Sequence, residues 1–333
     1  MAKKTPKHVS KFMSWKPVAR LISATQRIVL PGFDGVPLYD VGMFFFNGLV
    51  KGYLASRAAA ISFSMFLAIF PFLIFLFNII PFIPIDNFQI SLLRLIADFL
   101  PESAYETVKG TIVDIITRPR SGLLIVNLLL TLYFSTNGVN SLMEAFNDTY
   151  HVMETRTTFK QYLISILLVL LISFLLIIAI GLITFGTLLL DFLLPDIITG
   201  GQFFIFLLQA LRWLIVLGLL LMAISSAYFL APAKRGQFRF ISAGSLLATL
   251  LVLITTLGFN YYVDNFGSYN ALYGSLGTLM VVLVWIYINS ISILIGFELN
   301  TSIHMAWVKR WADSGKPVGV KSWSRAAKKG TRD

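Results

Sequence analysis

Six stretches of this chain are long enough and apolar enough to cross a bilayer, and together they leave few folds open to it. Ala58–Ile85, Ser121–Met143, Gln161–Leu190, Ile197–Ala233, Phe240–Val263 and Tyr269–Phe297 hold a single charge among them, Arg212. Each reaches the roughly 20 residues that span about 30 Å of hydrocarbon as a helix. Hydrocarbon offers backbone N–H and C=O groups no partners, so segments of this length and composition satisfy those groups internally by coiling. The reading is an all-α polytopic membrane protein with six transmembrane helices and amphipathic helices at the interfaces.

Composition agrees with lipid as the solvent. Hydrophobic residues make up 57% of the 333-residue chain and charged residues 13%, and the mean hydropathy is +0.79. That is too little polar material to cover a globule in water. The net charge of +11 lies in the flanks of the spans, where it sets orientation and meets anionic headgroups, so it calls for no nucleic acid. The chain has no cysteine, which excludes disulfides, thiolate metal sites and a cysteine nucleophile. Met1 to Trp15 is charged and lacks an apolar core, so no cleavable signal peptide is expected.

Lys and Arg alternate in density from one connection to the next. The leading segment is rich in them, the connections after the second and fourth spans carry Arg156, Lys160, Lys234, Arg235 and Arg239, and the tail beyond Leu299 is basic again. The opposite face holds only Arg94, Lys109, Arg118 and Arg120, all in the first connection. By the positive-inside rule both termini are expected in the cytoplasm.

Three regions follow: a cytoplasmic segment over 1–55, a membrane domain over 56–302, and a basic tail over 303–333, mobile and lipid-facing beyond Val308. Leu38, Val41, Phe45, Leu49 and Tyr53 recur at helical spacing and predict a surface helix on the inner face. Two amphipathic stretches separated by Pro101 within 86–120 predict a helical cap over the outer mouth. Pro71 in the first span predicts a kink. Small residues, Ala58 to Ala60, Gly244 with Ala248, and Gly274 with Gly277, mark close helix contacts.

Polar residues inside the spans need partners or a purpose. Asn137, Asn140, Glu144 and Asp148 form a stripe along the second span, and Asn289, Ser292, Gly296 and Asn300 another along the sixth. Arg57, Glu144 and Glu298 share one depth and are the ion-pair or gate candidates. Arg212, one turn from Gln209, lies deeper and is the main candidate for a substrate or pathway residue, with Gln209, Asn137, Asn140, Glu144 and Asn289 beside it. The same positions also serve a purely structural role, docking one helix on another.

No catalytic constellation is present. His8, His151 and His304 lie in separate segments without metal-ligand spacing, and the chain has no Walker A loop, dinucleotide fingerprint or nucleophile elbow. No enzyme activity, cofactor or metal is therefore expected.

Arg57-Ala58-Ala59-Ala60-Ile61-Ser62-Phe63-Ser64 leading to Phe70-Pro71, Tyr269-Asn270-Ala271-Leu272-Tyr273-Gly274-Ser275-Leu276-Gly277, Trp285-Ile286-Tyr287 and Gly296-Phe297-Glu298-Leu299-Asn300 resemble the BrkB/YihY family of bacterial inner-membrane proteins. Ser64 stands where that family usually has a tyrosine. The resemblance covers about Val36 to Asn300 and implies six helices, the cytoplasmic membrane and an envelope role. The family was long labelled ribonuclease BN, and some members have been proposed to move lipids. The expected function is an ATP-independent carrier, flippase-like, for an anionic lipid or amphiphile, with membrane lipids and their headgroups as partners. The alternative is an envelope scaffold that binds a protein partner through the exterior helices and the basic tail. A ribonuclease is opposed by the lack of clustered carboxylates or histidines near a soluble basic groove.

Overall fold

The computed structural model describes residues 25–82, 110, 113, 120–149, 154–193, 202–233, 240–265 and 275–313. Among these residues the chain is helical, with no strand. In order the helices are α1 (Leu38–Lys51), α2 (Leu54–Ile79, closed by a 3-10 turn over Ile80–Phe82), α3 (Ser121–Thr149), α4 (Thr158–Leu193), α5 (Gln202–Leu230), α6 (Ala243–Asn265) and α7 (Ser275–Asp313). All but α1 are long and apolar enough to cross a membrane, which matches the six spans read from the sequence. Their edges move by several residues, because helices run on past the hydrocarbon until a cap stops them.

Capping sets those edges. Gly52 ends α1, donating its N–H to Gly48 O at 2.8 Å, and Tyr53 follows at φ 48°, ψ 40°, turning the chain into α2. α6 opens on a reciprocal pair in which the Ser245 N–H donates to Ser242 Oγ and the Ser242 N–H to Ser245 Oγ, both at 3.0 Å. This has the logic of a capping box, two orphan amides satisfied by two side chains. The helix of α2 continues unbroken through Pro71, which is buried.

Each spanning helix packs on its chain neighbours, and α7 returns to α2, so the six close into a ring. The main core is eccentric. It consists of Ala58 and Ile61 of α2, Val139, Leu142, Met143, Ala145 and Phe146 of α3, Leu168 of α4, Ala227 and Ala231 beside the end of α5, and Leu294 and Phe297 of α7. All lie toward the end of the ring that carries Lys51, Arg156, Lys160 and Lys309, here the basic end. Toward the other end the side chains are largely exposed, including Phe72, Ile74 and Phe77 of α2, Leu128 and Leu129 of α3, Phe206, Leu211 and Leu214 of α5, and Ile254 and Leu257 of α6. The buried core is thus concentrated at the basic end.

α7 differs most from expectation. Its 39 residues measure about 58 Å at the usual rise, far beyond one bilayer crossing. The excess is not a mobile tail. Ile303, Ala306 and Trp307 are buried against Phe33, Val36 and Val41 in a second cluster, Lys309 Nζ lies 5.9 Å from the centroid of the Phe44 ring, and Arg310 Nη1 donates to Gly35 O at 3.2 Å. The boundary drawn at 303 is therefore replaced by one continuous helix, at least to Asp313. The surface helix exists as α1, but Val41, its one fully buried side chain, packs against α7 rather than lipid. Met43, Phe46 and Val50 form a further apolar line on its exposed side. The cap over 86–120, apart from three isolated residues, and the tail over 314–333 lie outside the described residues.

Candidate functional site

At the basic end, Arg57 enters the bundle from the first turns of α2 and is buried. Its Nη1 donates to Ala145 O of α3 at 2.8 Å and to Thr149 Oγ1. Its Nη2 lies 3.8 Å from Glu298 Oε2 of α7, with both side chains 8% exposed. That separation is an ion pair without a hydrogen bond, and Arg57 Nε and Nη2 have no hydrogen-bond partner among the described residues. One guanidinium thus ties three helices. Of the two carboxylates the sequence placed at this depth, Glu298 meets Arg57, while Glu144 is exposed. Asp148, exposed one turn on, adjoins Thr149, which accepts from Arg57 Nη1.

α1 covers the pair with glycine. A Cβ at Gly48 would lie 1.7 Å from Glu298 Oε1, and one at Gly52 would lie 2.9 Å from Arg57 Nη2. Beside the pair, Phe146 stacks on Phe297 with centroids 3.9 Å apart and an interplanar angle of 16°. Tyr228 of α5 meets both rings edge-on, and its hydroxyl donates to Ile293 O at 2.6 Å. These rings join α3, α5 and α7 at the same level as the ion pair.

The two polar stripes divide between packing and open positions. Asn140 accepts from Ser165 Oγ of α4 at 2.6 Å, and Asn137 is half-buried, its carbonyl taking the Ser141 hydroxyl. Asn300 accepts from the Gly244 N–H at 2.8 Å and donates to Ser242 Oγ at 2.9 Å. Gly296 faces Gly244, so this part of the α7 stripe is a helix contact. Asn289 donates back to Trp285 O at 2.8 Å, and its buried Oδ1 has no hydrogen-bond partner among the described residues.

Arg212 stands apart. It lies ten residues into α5, about 15 Å from the start of the helix, and is half-buried. Its Nη2 reaches Gln209 Oε1 at 3.4 Å, its guanidinium carbon is 5.9 Å from the Trp213 ring centroid, and its Nε has no hydrogen-bond partner among the described residues. The structure does not bring it to the Arg57 cluster. Among the described residues no group of three or more His, Asp or Glu side chains is placed to hold a metal ion.

Sequence reasoning missed a second polar node at the basic end. Arg156 pairs with Glu154 through Nε and Nη2, each at 2.7 Å, and caps α5 by donating to Leu230 O at 3.3 Å and Ala231 O at 2.7 Å. Asn147 of α3 donates to Glu154 Oε2 at 2.9 Å and accepts from the Ala233 N–H at 2.8 Å. The available signal was a Glu-x-Arg spacing in a short connection, which by itself is unremarkable. Hydrogen bonds from Arg156 hold the Glu154 carboxyl down to about 2 from its ordinary 4.5. Because the folded pKa is the lower one, this carboxylate contributes stability above about pH 4.5 that is lost as pH falls toward 2. Thermal unfolding in detergent should therefore show a decline over that window that is smaller in Glu154→Gln than in the parent. Parallel curves for the two proteins would refute it.

This geometry sits on a chain with clear relatives. The family described as Virulence factor BrkB matches residues 45–317. The chain belongs to that family. It is 30% identical over 249 residues to the ribonuclease-like protein YfkH of Bacillus subtilis (strain 168), covering 75% of this chain and 90% of the relative. It is 25% identical over 277 residues to a UPF0761 membrane protein of Xanthomonas campestris pv. campestris (strain B100), covering 79% of this chain but 60% of that one. A UPF0761 membrane protein of Vibrio atlanticus (strain LGP32) is 34% identical over 91 residues, 27% of this chain and 28% of the relative. No solved structure matches. Arg57 and Glu298, and the Phe146, Tyr228 and Phe297 rings, all lie within the residues matched to this BrkB/YihY membrane protein family.

Proposed function

We propose that this BrkB/YihY protein is an ATP-independent carrier for an anionic lipid or similar amphiphile, in the bacterial cytoplasmic membrane with both termini cytoplasmic. The observation that carries the reading is Arg212. A guanidinium well inside a span costs several kcal/mol unless an anion or water accompanies it, and among the described residues Arg212 has a long contact to Gln209 and a nearby indole face. A phosphate or carboxylate headgroup supplies the missing acceptors, preferentially two at once on the planar fork. The ring geometry supports the same reading. The Phe146, Phe297 and Tyr228 rings close the basic end, and Arg212 lies away from them, in the half of the bundle outside the main core.

The test is transbilayer movement of a labelled anionic lipid in vesicles containing the reconstituted full-length protein. The parent is expected to exceed empty vesicles, and Arg212→Gln to lose most of that excess while melting at a similar temperature. A parent rate equal to that of empty vesicles would remove the carrier, and an unaffected Arg212→Gln rate would remove Arg212 from the path.

A further inference from the structure

α1 is held at its two ends and along one face. Before it, Phe33 and Val36 are buried against Ile303, Ala306 and Trp307 of α7. After it, Gly52 and Tyr53 form a two-residue elbow into α2, with Tyr53 in the left-handed region at φ 48°, where a bulky side chain is held only at a cost. Between these ties, Gly48 sets the helix backbone directly on Glu298. A Cβ at position 48 would take the place of the Glu298 carboxyl end, so any larger residue there requires that side chain to swing aside.

The pair beneath is incompletely made. Arg57 Nη2 stands 3.8 Å from Glu298 Oε2, and Nε and Nη2 are buried without hydrogen bonds, a costly state for a guanidinium. A second carboxylate is at hand. Asp148 of α3 adjoins Thr149, which already accepts from Nη1, and it is exposed. Lys51 at the end of α1 is exposed, and among the described residues Glu298 is in ion-pair range of Arg57 while Asp148 adjoins its hydrogen-bond partner Thr149.

We propose that α1 is a strap over a gate at the basic end, and that Arg57 exchanges Glu298 on α7 for Asp148 on α3 when the strap lifts. Seated, the strap presses on Glu298 and keeps α2, α3 and α7 together beside the Phe146–Phe297 stack. Lifted, Glu298 meets water, α7 is released from Arg57, and the guanidinium stays on α3 through Ala145, Thr149 and Asp148. The gate's use rests on the carrier reading, whereas its existence is tested without any substrate.

The chain has no cysteine, so a single Ala306→Cys, at a position 1% exposed within the cluster that includes Val41 of α1, reports lifting. The measurement is its reaction rate with a maleimide in full-length protein held in nanodiscs. Glu298→Gln in that background is expected to label several-fold faster and Asp148→Asn several-fold slower, because one carboxylate favours the seated strap and the other the lifted one. A pair that served only as structural glue would give no such opposition of sign. Gly48→Trp, too large to be accommodated by a shift of the Glu298 carboxyl alone, is expected to label faster as well. Carboxylate variants that shift the rate in the same direction, or not at all, would overturn the proposal, and so would a Gly48→Trp protein that folds and labels at the parent rate. Opposed rates here with no lipid movement in vesicles would retain the strap and remove the carrier.

Discussion

Arg57→Met is expected to lower stability by about 3–5 kcal/mol, the usual cost of removing one partner from a buried ion pair. Two losses combine in that figure. Glu298, 8% exposed on its side chain, is left as an uncompensated charge under α1, and Ala145 O and Thr149 Oγ1 lose the donor that ties α3 to α2. The measurement is denaturant- or SDS-induced unfolding in micelles. Arg57→Met combined with Glu298→Leu should recover much of the loss, since an apolar pair of similar volume needs no desolvation. Glu144→Gln is the control. Glu144 is exposed, so its substitution is expected within about 0.5 kcal/mol of the parent. A Glu144 effect as large as that of Arg57 would mean that the partner had been assigned to the wrong carboxylate.

Gly296→Ala is expected to cost about 1–3 kcal/mol, and Gly296→Val more, because the contact it breaks is made by backbone. A Cβ at position 296 would lie 2.4 Å from Gly244 O, 2.5 Å from the Tyr228 hydroxyl and 2.6 Å from Ala248 Cβ, and a Cβ at 244 would lie 2.1 Å from Gly296 O. Carbonyl oxygens within helices have no rotamer to adopt, so α6 and α7 must separate. Separation also strains the Gly244 N–H to Asn300 bond and the Asn300 to Ser242 bond that set the start of α6. Gly258→Ala offers the opposite sign in the same α6. A Cβ there meets nothing within 4 Å, so alanine should stabilise by up to about 1 kcal/mol through helix propensity alone. Equal losses at 296 and 258 would show that the α6–α7 approach is looser than described.

Part of the site was legible beforehand. Arg57, Glu144 and Glu298 share a depth because helix rise converts sequence position into height, but height leaves lateral position open. Glu298 and Glu144 are equivalent until the rotation of α3 is known, and that rotation turns Ala145 and Thr149 toward Arg57 and Glu144 away. The same ambiguity hid the pairing of Gly244 with Gly296. Gly244 was visible as a small residue beside Ala248, and Gly296 as part of a polar stripe, yet nothing in either local pattern names the other. The Glu154–Arg156–Asn147 node was invisible for a different reason. Its partners at Leu230, Ala231 and Ala233 are backbone groups, which carry no sequence signature.

The number of crossings, the all-helical class and the segregation of basic residues were determined by the sequence alone, since bilayer thickness sets a length and unsatisfied backbone is intolerable in hydrocarbon. The eccentric core, the seat of α1 on Glu298 and the continuation of α7 to Asp313 were decided only by tertiary structure. In water, apolar periodicity shows which face of a helix turns inward. In lipid, the outward face is as apolar as the core, so helix rotation and neighbour choice rest on small residues and buried polar groups whose meetings exist only in three dimensions.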